Sequence, residues 1–184
     1  MAKISKGVRL SHISKIYKDP KTGKDFYAVR DVSFAVYPGE VFSLIGANGA
    51  GKTTTFRMLC GLLPASGGEM RVAGVDLRRA AAKARAKIGY MAQKFSLYRN
   101  LSVCQNLRFF SSANNLRNGV GQQRIQWAFD QFDLAGMEAG PAGELPRGYK
   151  QRLALQQAVL HEPDILILDE PTSGVDPMAR REFW

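Results

Sequence analysis

Gly46-Ala47-Asn48-Gly49-Ala50-Gly51-Lys52-Thr53 leaves this chain few ways to fold. Its glycines let consecutive backbone N–H groups point into one concavity, a shape that suits phosphate oxygens. Val41 to Ile45, just before it, is a short, mostly apolar run that reads as a buried strand. Phe56, Leu59, Cys60 and Leu63 recur at i, i+3, i+4 and i+7, so a helix is expected to follow. Strand, glycine loop and helix in that order aim the positive end of the helix at the same anion. Lys52 places a compact charge on the β- and γ-phosphates, and the Thr53 hydroxyl is a ligand for Mg²⁺. Nucleotide binding through Gly46, Ala47, Asn48, Gly49, Ala50, Gly51, Lys52, Thr53 and Thr54 is the first expectation.

The composition narrows the rest. A chain of 184 residues fits one domain, or one lobe and a half of a larger one, and 45% hydrophobic with 23% charged residues excludes wholesale disorder and coiled coil. No apolar run approaches the roughly 20 residues that span a bilayer, and Met1 to Arg9 has no apolar stretch of the secretory kind. Cys60 and Cys104 give neither metal-ligand spacing nor a disulfide framework. A reducing, cytosolic compartment is expected. Cys60 lies on the apolar stripe and is read as core packing rather than a reactive thiol. The net charge of +10 favours an anionic partner (nucleotide, nucleic acid or lipid surface) or marks a solvated basic face. Aromatics do not interleave the basic residues as in a base-stacking platform, so nucleic acid is not expected.

Further along, Val32, Phe34 and Val36 alternate with Ser33, Ala35 and Tyr37 as in a strand, and Pro38-Gly39 turns the chain. Pro64 to Gly68 ends the first helix with turn residues, and strands are expected near Glu69 to Val72 and Ile88 to Met91. Ala80 to Ala86 is a short helix by propensity. Ser102-Val103-Cys104-Gln105 has the form of a capping box opening a second helix. Ile125, Ala128, Phe129 and Phe132 mark a third, with a polar loop from Asn114 to Gly121 between the two. The stretch from about 100 to 143 therefore reads as a helical insertion. A last helix is expected from Gly148 to His161. Ile165 to Leu168 then reads as a fully apolar, buried strand.

That strand runs into Asp169-Glu170. Parallel α/β sheets bind ligands beyond the carboxyl ends of their strands, so Asp169 is a candidate for the Mg²⁺ shell and Glu170 for polarising a water at the γ-phosphate. The competing reading is a strand end capped by surface charge.

Five segments occur in an order that resembles the ATP-binding cassette (ABC) ATPases. They are Gly46 to Thr53, Gln93 after Ile88 to Met91, Leu145-Pro146-Arg147-Gly148-Tyr149-Lys150-Gln151-Arg152, Ile165 to Glu170, and Pro171-Thr172-Ser173-Gly174-Val175-Asp176. The resemblance runs from about Val8 to Trp184. In Tyr90 to Ser111 and Leu145 to Arg152 it is nearest to multidrug-type exporters with a type-2 ABC permease, some of which carry two cassettes in one polypeptide. It implies an α/β, P-loop NTPase fold: a parallel-sheet core with an antiparallel β subdomain and an inserted helical subdomain. On this reading 1–184 is one ATP-binding domain, C-terminally incomplete, with approximately 100–143 as the helical subdomain.

The resemblance also implies roles. Tyr17 stands where the family places an adenine-stacking aromatic, with Tyr27 as competitor and core packing as the alternative. Gln93 matches the glutamine that senses Mg²⁺ and couples to the permease, and Glu170 matches the catalytic base. Leu145 and Gly148 keep the signature pattern, and Asp176 matches the aspartate at the dimer interface. Thr53, Gln93 and Asp169 are the implied metal residues, and ATP and Mg²⁺ the implied cofactors. In the family two cassettes sandwich two ATP molecules, each site taking one subunit's phosphate loop and the other's signature.

Two departures accompany the resemblance. The usual Leu-Ser-Gly-Gly-Gln signature has Pro146, Arg147 and Tyr149 at its second, third and fifth positions. The family's switch histidine lies further past the catalytic glutamate than this sequence runs, and His12 and His161 are both upstream. Met178 to Trp184 reads as a helix cut in mid-course. The expected function is an ATP-binding and ATP-hydrolysing cassette that energises an ABC exporter. It works with an integral membrane permease and a second cassette at the cytoplasmic face of the membrane. The rivals are a non-transport ABC ATPase acting on ribosomes or DNA, and an ATP-gated module with little hydrolysis.

Overall fold

In a computed structural model, which describes residues 6–94, 96–117 and 119–172, the chain divides into two compact units, Met1–Ile88 and Gly89–Trp184.

The first unit is built on β1 (Val8–Lys18), a strand that carries neighbours on both edges. It pairs antiparallel with β2 (Asp25–Val36) and with β3 (Gly67–Val72). After α1 (Lys52–Leu59) and β3, the two-residue β4 (Val75–Asp76) completes the order β2-β1-β3-β4. Val8, Leu10 and Ile13 are buried, and the step from Leu10 to Ile13 breaks the two-residue alternation. The register shifts there against β2, and between Ser11 and Ser14 against β3, as a β-bulge requires. His12 and Asp31 both take positive φ at this point (53° and 49°), and their side chains meet at 2.7 Å. In the turn after β1 the Lys21 N–H reaches the Asp19 carboxylate at 2.8 Å and holds its pKa below the usual value.

The strand and turn read at Val32 to Gly39 are present: β2 ends at Val36, and the Tyr37 N–H donates to the Glu40 carboxylate at 2.8 Å. The strand expected at Val41 to Ile45 is not. Residues 41–47 have no regular structure, and Val41 and Ile45 are 99% and 92% exposed. An apolar run becomes a strand only when its N–H and C=O groups find a ladder, and in this unit the ladder partners are β1 to β4. The first helix is also shorter than its apolar period suggested. Cys60 is its C-cap and Gly61, at φ 62°, turns left-handed. The Gly61 and Leu62 N–H groups then bond back to Met58 and Arg57, which closes the helix before Leu63. Cys60 is buried, in keeping with the core role read for it. The alanine-rich helix is α2 (Leu77–Arg85), with Asp76 as N-cap accepting from the Arg78 N–H and a kink at Ala80.

The second unit holds β5 (Ile88–Met91) from its second residue on, α3 (Val103–Ala113), α4 (Val120–Gln131), α5 (Arg147–Val159) and β6 (Ile165–Leu168). β5 and β6 form a two-stranded sheet. The capping box is present: Gln105 N–H donates to Ser102 Oγ, and Ser102 N–H to Gln105 Oε1. Gly119, at φ 81°, caps α4, so the polar loop stops two residues short of the expected Gly121. Val103, Leu107, Ala128, Phe129, Leu153 and Leu160 pack one core among the three helices. A Cβ on Gly89 would run into the Ala158 carbonyl, so β5 and α5 approach as closely as a glycine allows. The uniform burial expected for Ile165 to Leu168 is corrected: Ile167 is buried, but Leu166 is 43% exposed. A strand in a two-stranded sheet has one covered face, and alternate side chains leave it. The helix expected at Met178 to Trp184 lies outside the described residues.

Candidate functional site

In the first unit the glycine loop wraps the start of α1. Gly49 and Gly51 adopt φ 82° and 88°. Gly51 is the N-cap, and a Cβ there would strike the Ala28 carbonyl oxygen of β2, so both backbone angle and space demand glycine. No side chain caps the helix and its first turn has no acidic residue, so α1 itself brings no negative charge to its positive end. Lys52 Nζ donates to the carbonyls of Gly46 (2.8 Å) and Ala47 (3.1 Å), spanning the loop. Thr53 is exposed and Thr54 half-buried, while Thr55 turns inward and bonds the Gly51 carbonyl through its hydroxyl at 3.0 Å. The loop can therefore offer oriented N–H groups, one ammonium and one exposed hydroxyl to an anion. Tyr17 is 37% exposed; its ring stacks on Phe26 at 5.8 Å, with Lys15 Nζ 5.1 Å over it. Tyr27 is more exposed, with the Arg30 guanidinium 5.1 Å from its ring.

In the second unit the chain after β6 gathers three sequence-predicted residues. Asp169 is 1% exposed, and its N–H donates to the Met91 carbonyl at 2.9 Å, fastening the end of β6 to the end of β5. Two residues past β5, Gln93 Nε2 donates to Glu170 Oε2 at 2.7 Å. Side chains 77 positions apart are thus brought together, and the Glu170 carboxylate is held in one orientation. Glu170 itself sits at φ 51°. Pro146 is the N-cap of α5, Leu145 is buried just before it, and Gly148 has open space where a Cβ would be. Proline is well suited to a helix start, which needs no N–H from it. Asp176 lies outside the described residues.

Two polar residues escaped the sequence reading. Asn106 is wholly buried in α3. Its Oδ1 accepts from the Tyr98 N–H, and its Nδ2 faces the carbonyls of Tyr98, Leu101 and Ser102 at 3.0–3.3 Å. It pins the segment between Gln93 and α3. Gln151, 1% exposed on α5, donates to the Pro171 carbonyl, one residue past Glu170. Gln151 stands within the Leu145 to Arg152 segment, which gives it no role of its own, and Asn106 is a polar residue on an inward helical face to which periodicity gives none.

The profile described as "ABC transporter" matches residues 29–173. The chain is 56% identical over 160 residues to the "Probable multidrug ABC transporter ATP-binding protein YbhF" of Escherichia coli, covering 87% of this chain and 28% of that protein. It is 35% identical over 175 residues to the "Nod factor export ATP-binding protein I" of Cupriavidus pinatubonensis, covering 95% and 54%. Among solved structures, an "ATP binding subunit of ABC transporter" superposes with a TM-score of 0.81 at 29% identity, over 95% of this chain and 70% of that one. The fold is also that of a dimeric bacterial ABC transporter cassette, with a TM-score of 0.85 at 23% identity over 95% and 78%. Fold and phosphate loop together define an ABC-type ATPase cassette of the P-loop NTPase class. The chain belongs to the ABC transporter family. It spans less than a third of YbhF and about half of the Nod factor protein.

Proposed function

We propose that this chain binds Mg-ATP through Gly46 to Thr54 and hydrolyses it with Glu170 as general base, to drive export through a membrane permease. The observation that carries the reading is the loop at the head of α1, with glycines at 49 and 51 in left-handed backbone and no acidic residue in the first helical turn. Such a cradle prefers an anion with several oxygens. Gln93 on Glu170 supports a hydrolytic role, because a general base must be held where the attacking water stands. Tyr17 is the proposed adenine platform.

For Mg²⁺ the donor set fits. Among the described residues no three His, Cys, Asp or Glu side chains cluster as an all-protein cage. Magnesium typically takes one or two carboxylates together with phosphate oxygens; Asp169, just past β6, supplies such a carboxylate, and Thr53 and Gln93 are the other residues proposed to hold the ion. When bound, the ion would neutralise charge developing on the phosphates.

The relatives' names, multidrug transporter and Nod factor export protein, favour an exporter over a ribosome- or DNA-directed ATPase. The proposed partners are an integral permease and a second cassette. The second cassette brings its signature to the ATP on Lys52, as Leu145, Gly148 and Asp176 here serve the partner's ATP. The proposed place is the cytoplasmic face of the membrane, with 100–143 as a helical subdomain inserted in one ATP-binding domain. No described helix is long and apolar enough to cross a membrane. Glu170→Gln in the full-length protein tests the reading. ATP binding should persist while turnover falls about 10²- to 10⁴-fold, the usual worth of a general base. Turnover at the parent rate would exclude Glu170 as the base.

A further inference from the structure

We infer that Gln151 is a positioning residue for Glu170, acting through the backbone of Pro171; this rests on the reading of Glu170 as the general base. Glu170 stands in a conformation its own sequence disfavours. Its φ of 51° is left-handed, where a side chain with a Cβ is crowded. The residue after it is Pro171, whose ring favours an extended residue before it. Backbone of this kind persists only where the surroundings over-determine it.

Tethers lie on both sides of Glu170. The Asp169 N–H is bonded to the Met91 carbonyl on one side of Glu170. Gln93 Nε2 holds the Glu170 carboxylate at 2.7 Å. On the other side the Pro171 carbonyl accepts from Gln151 Nε2. The first two come from β5 and the segment after it. Gln151 reaches in from α5 and fixes the peptide that follows Pro171, one residue beyond the strained position. The proline ring already sets φ at 171, so anchoring the carbonyl removes the remaining freedom of that residue.

A purely structural role explains Gln151 poorly. It is 1% exposed, and its Oε1 has no hydrogen-bond partner among the described residues. An unsatisfied buried acceptor is unfavourable, and an apolar side chain of the same shape would avoid it. The donor end is what an apolar replacement lacks. Gln156, five residues further along α5, is a matched comparison: it too is buried, has an Oε1 without a hydrogen-bond partner among the described residues, and donates to a backbone carbonyl, that of Ala128 in α4, remote in sequence from Glu170.

The experiment is steady-state ATP hydrolysis by the full-length protein carrying Gln151→Met, Gln156→Met, Glu170→Gln or Gln151→Met with Glu170→Gln, with ATP binding and thermal melting measured for each. Gln151→Met should lower kcat about tenfold, the scale of one lost hydrogen bond expressed in the transition state, with KM and ATP binding unchanged. Gln156→Met should share any shift in melting and keep the parent kcat. Gln151→Met should add nothing once Glu170 is Gln, because both act on one group. A parent kcat in Gln151→Met, an equal loss in Gln156→Met, or a further loss in the double variant would overturn the proposal. Should Gln151→Met not fold, Gln151→Asn keeps the carboxamide but not its reach, and the same comparisons apply to it. Parent turnover in Glu170→Gln would instead remove the general base on which the inference rests.

Discussion

Lys52 spans its own loop, bonded to the Gly46 and Ala47 carbonyls. A nucleotide must draw that ammonium away, so the lysine has two uses: it shapes the loop, then meets the β- and γ-phosphates. Lys52→Ala should therefore weaken ATP binding and turnover together, by roughly 3–4 kcal/mol in the transition state for a preorganised charge contact. The first unit should melt as before. Unchanged ATP binding by fluorescence titration would refute the assignment. At this scale the sequence was informative where chemistry dictates residue type. Glycine at 51 is required by both φ and the Ala28 carbonyl, and a Gly-Lys-Thr run announces its use. Gln151 and Asn106 were opaque, because a buried amide is recognised only by the carbonyls around it, and these come from turns whose path no pattern reveals.

Among the elements, those closed by local chemistry were legible. The Ser102–Gln105 box opens α3 as read, since both its bonds lie within four residues. β3, β5 and β6 lie where strands are expected, near Glu69 to Val72, Ile88 to Met91 and Ile165 to Leu168. β1 was missed because the bulge at His12 breaks the alternation that marks a strand, and Val41 to Ile45 was misread because an apolar run does not specify its partner. The segment 96–102 is the informative case for prediction. Its backbone is fastened by Asn106 on one side, and on the other by the Ala142 and Gly143 N–H groups bonded to the Leu101 and Arg99 carbonyls. Asn106→Leu removes the donor and acceptor together and leaves the Tyr98 N–H without its partner, while the Tyr98, Leu101 and Ser102 carbonyls keep the N–H groups of Leu101, Ala142 and Asn106. A loss of about 1–3 kcal/mol for the group left unsatisfied is expected, read as a lower denaturation midpoint with unchanged slope. A midpoint equal to the parent's would show that water takes over that bond.

For the whole molecule the open question is symmetry. Pro146 and Arg147 stand where the family's signature has serine and glycine, yet α5 begins cleanly at Arg147 behind the proline cap. On the proposed sandwich the altered signature is felt by the partner's ATP, not by the ATP on Lys52. Pairing with a second cassette of intact signature would then leave one good site, and that asymmetric arrangement is the one proposed. Pro146→Ser with Arg147→Gly in the full-length protein should change turnover little. In a homodimer, a regained hydrogen bond to the γ-phosphate, about 1.5–3 kcal/mol to a charged group, would raise it severalfold or more, and that result would rule out the asymmetric pair.

The bulge in β1 also bears on how length can vary within this architecture. Dropping one residue from a regular strand turns every later side chain to the wrong face. At His12 the strand already carries an irregularity on both its edges, between inward-facing Leu10 and Ile13. A gap of one residue can be absorbed there with the buried positions before and after it kept in place. When chains of this fold differ in length near the N-terminus, the turn at Asp19 to Lys24 and the break at His12, the one that shifts register on both edges of β1, are where sequences can slip.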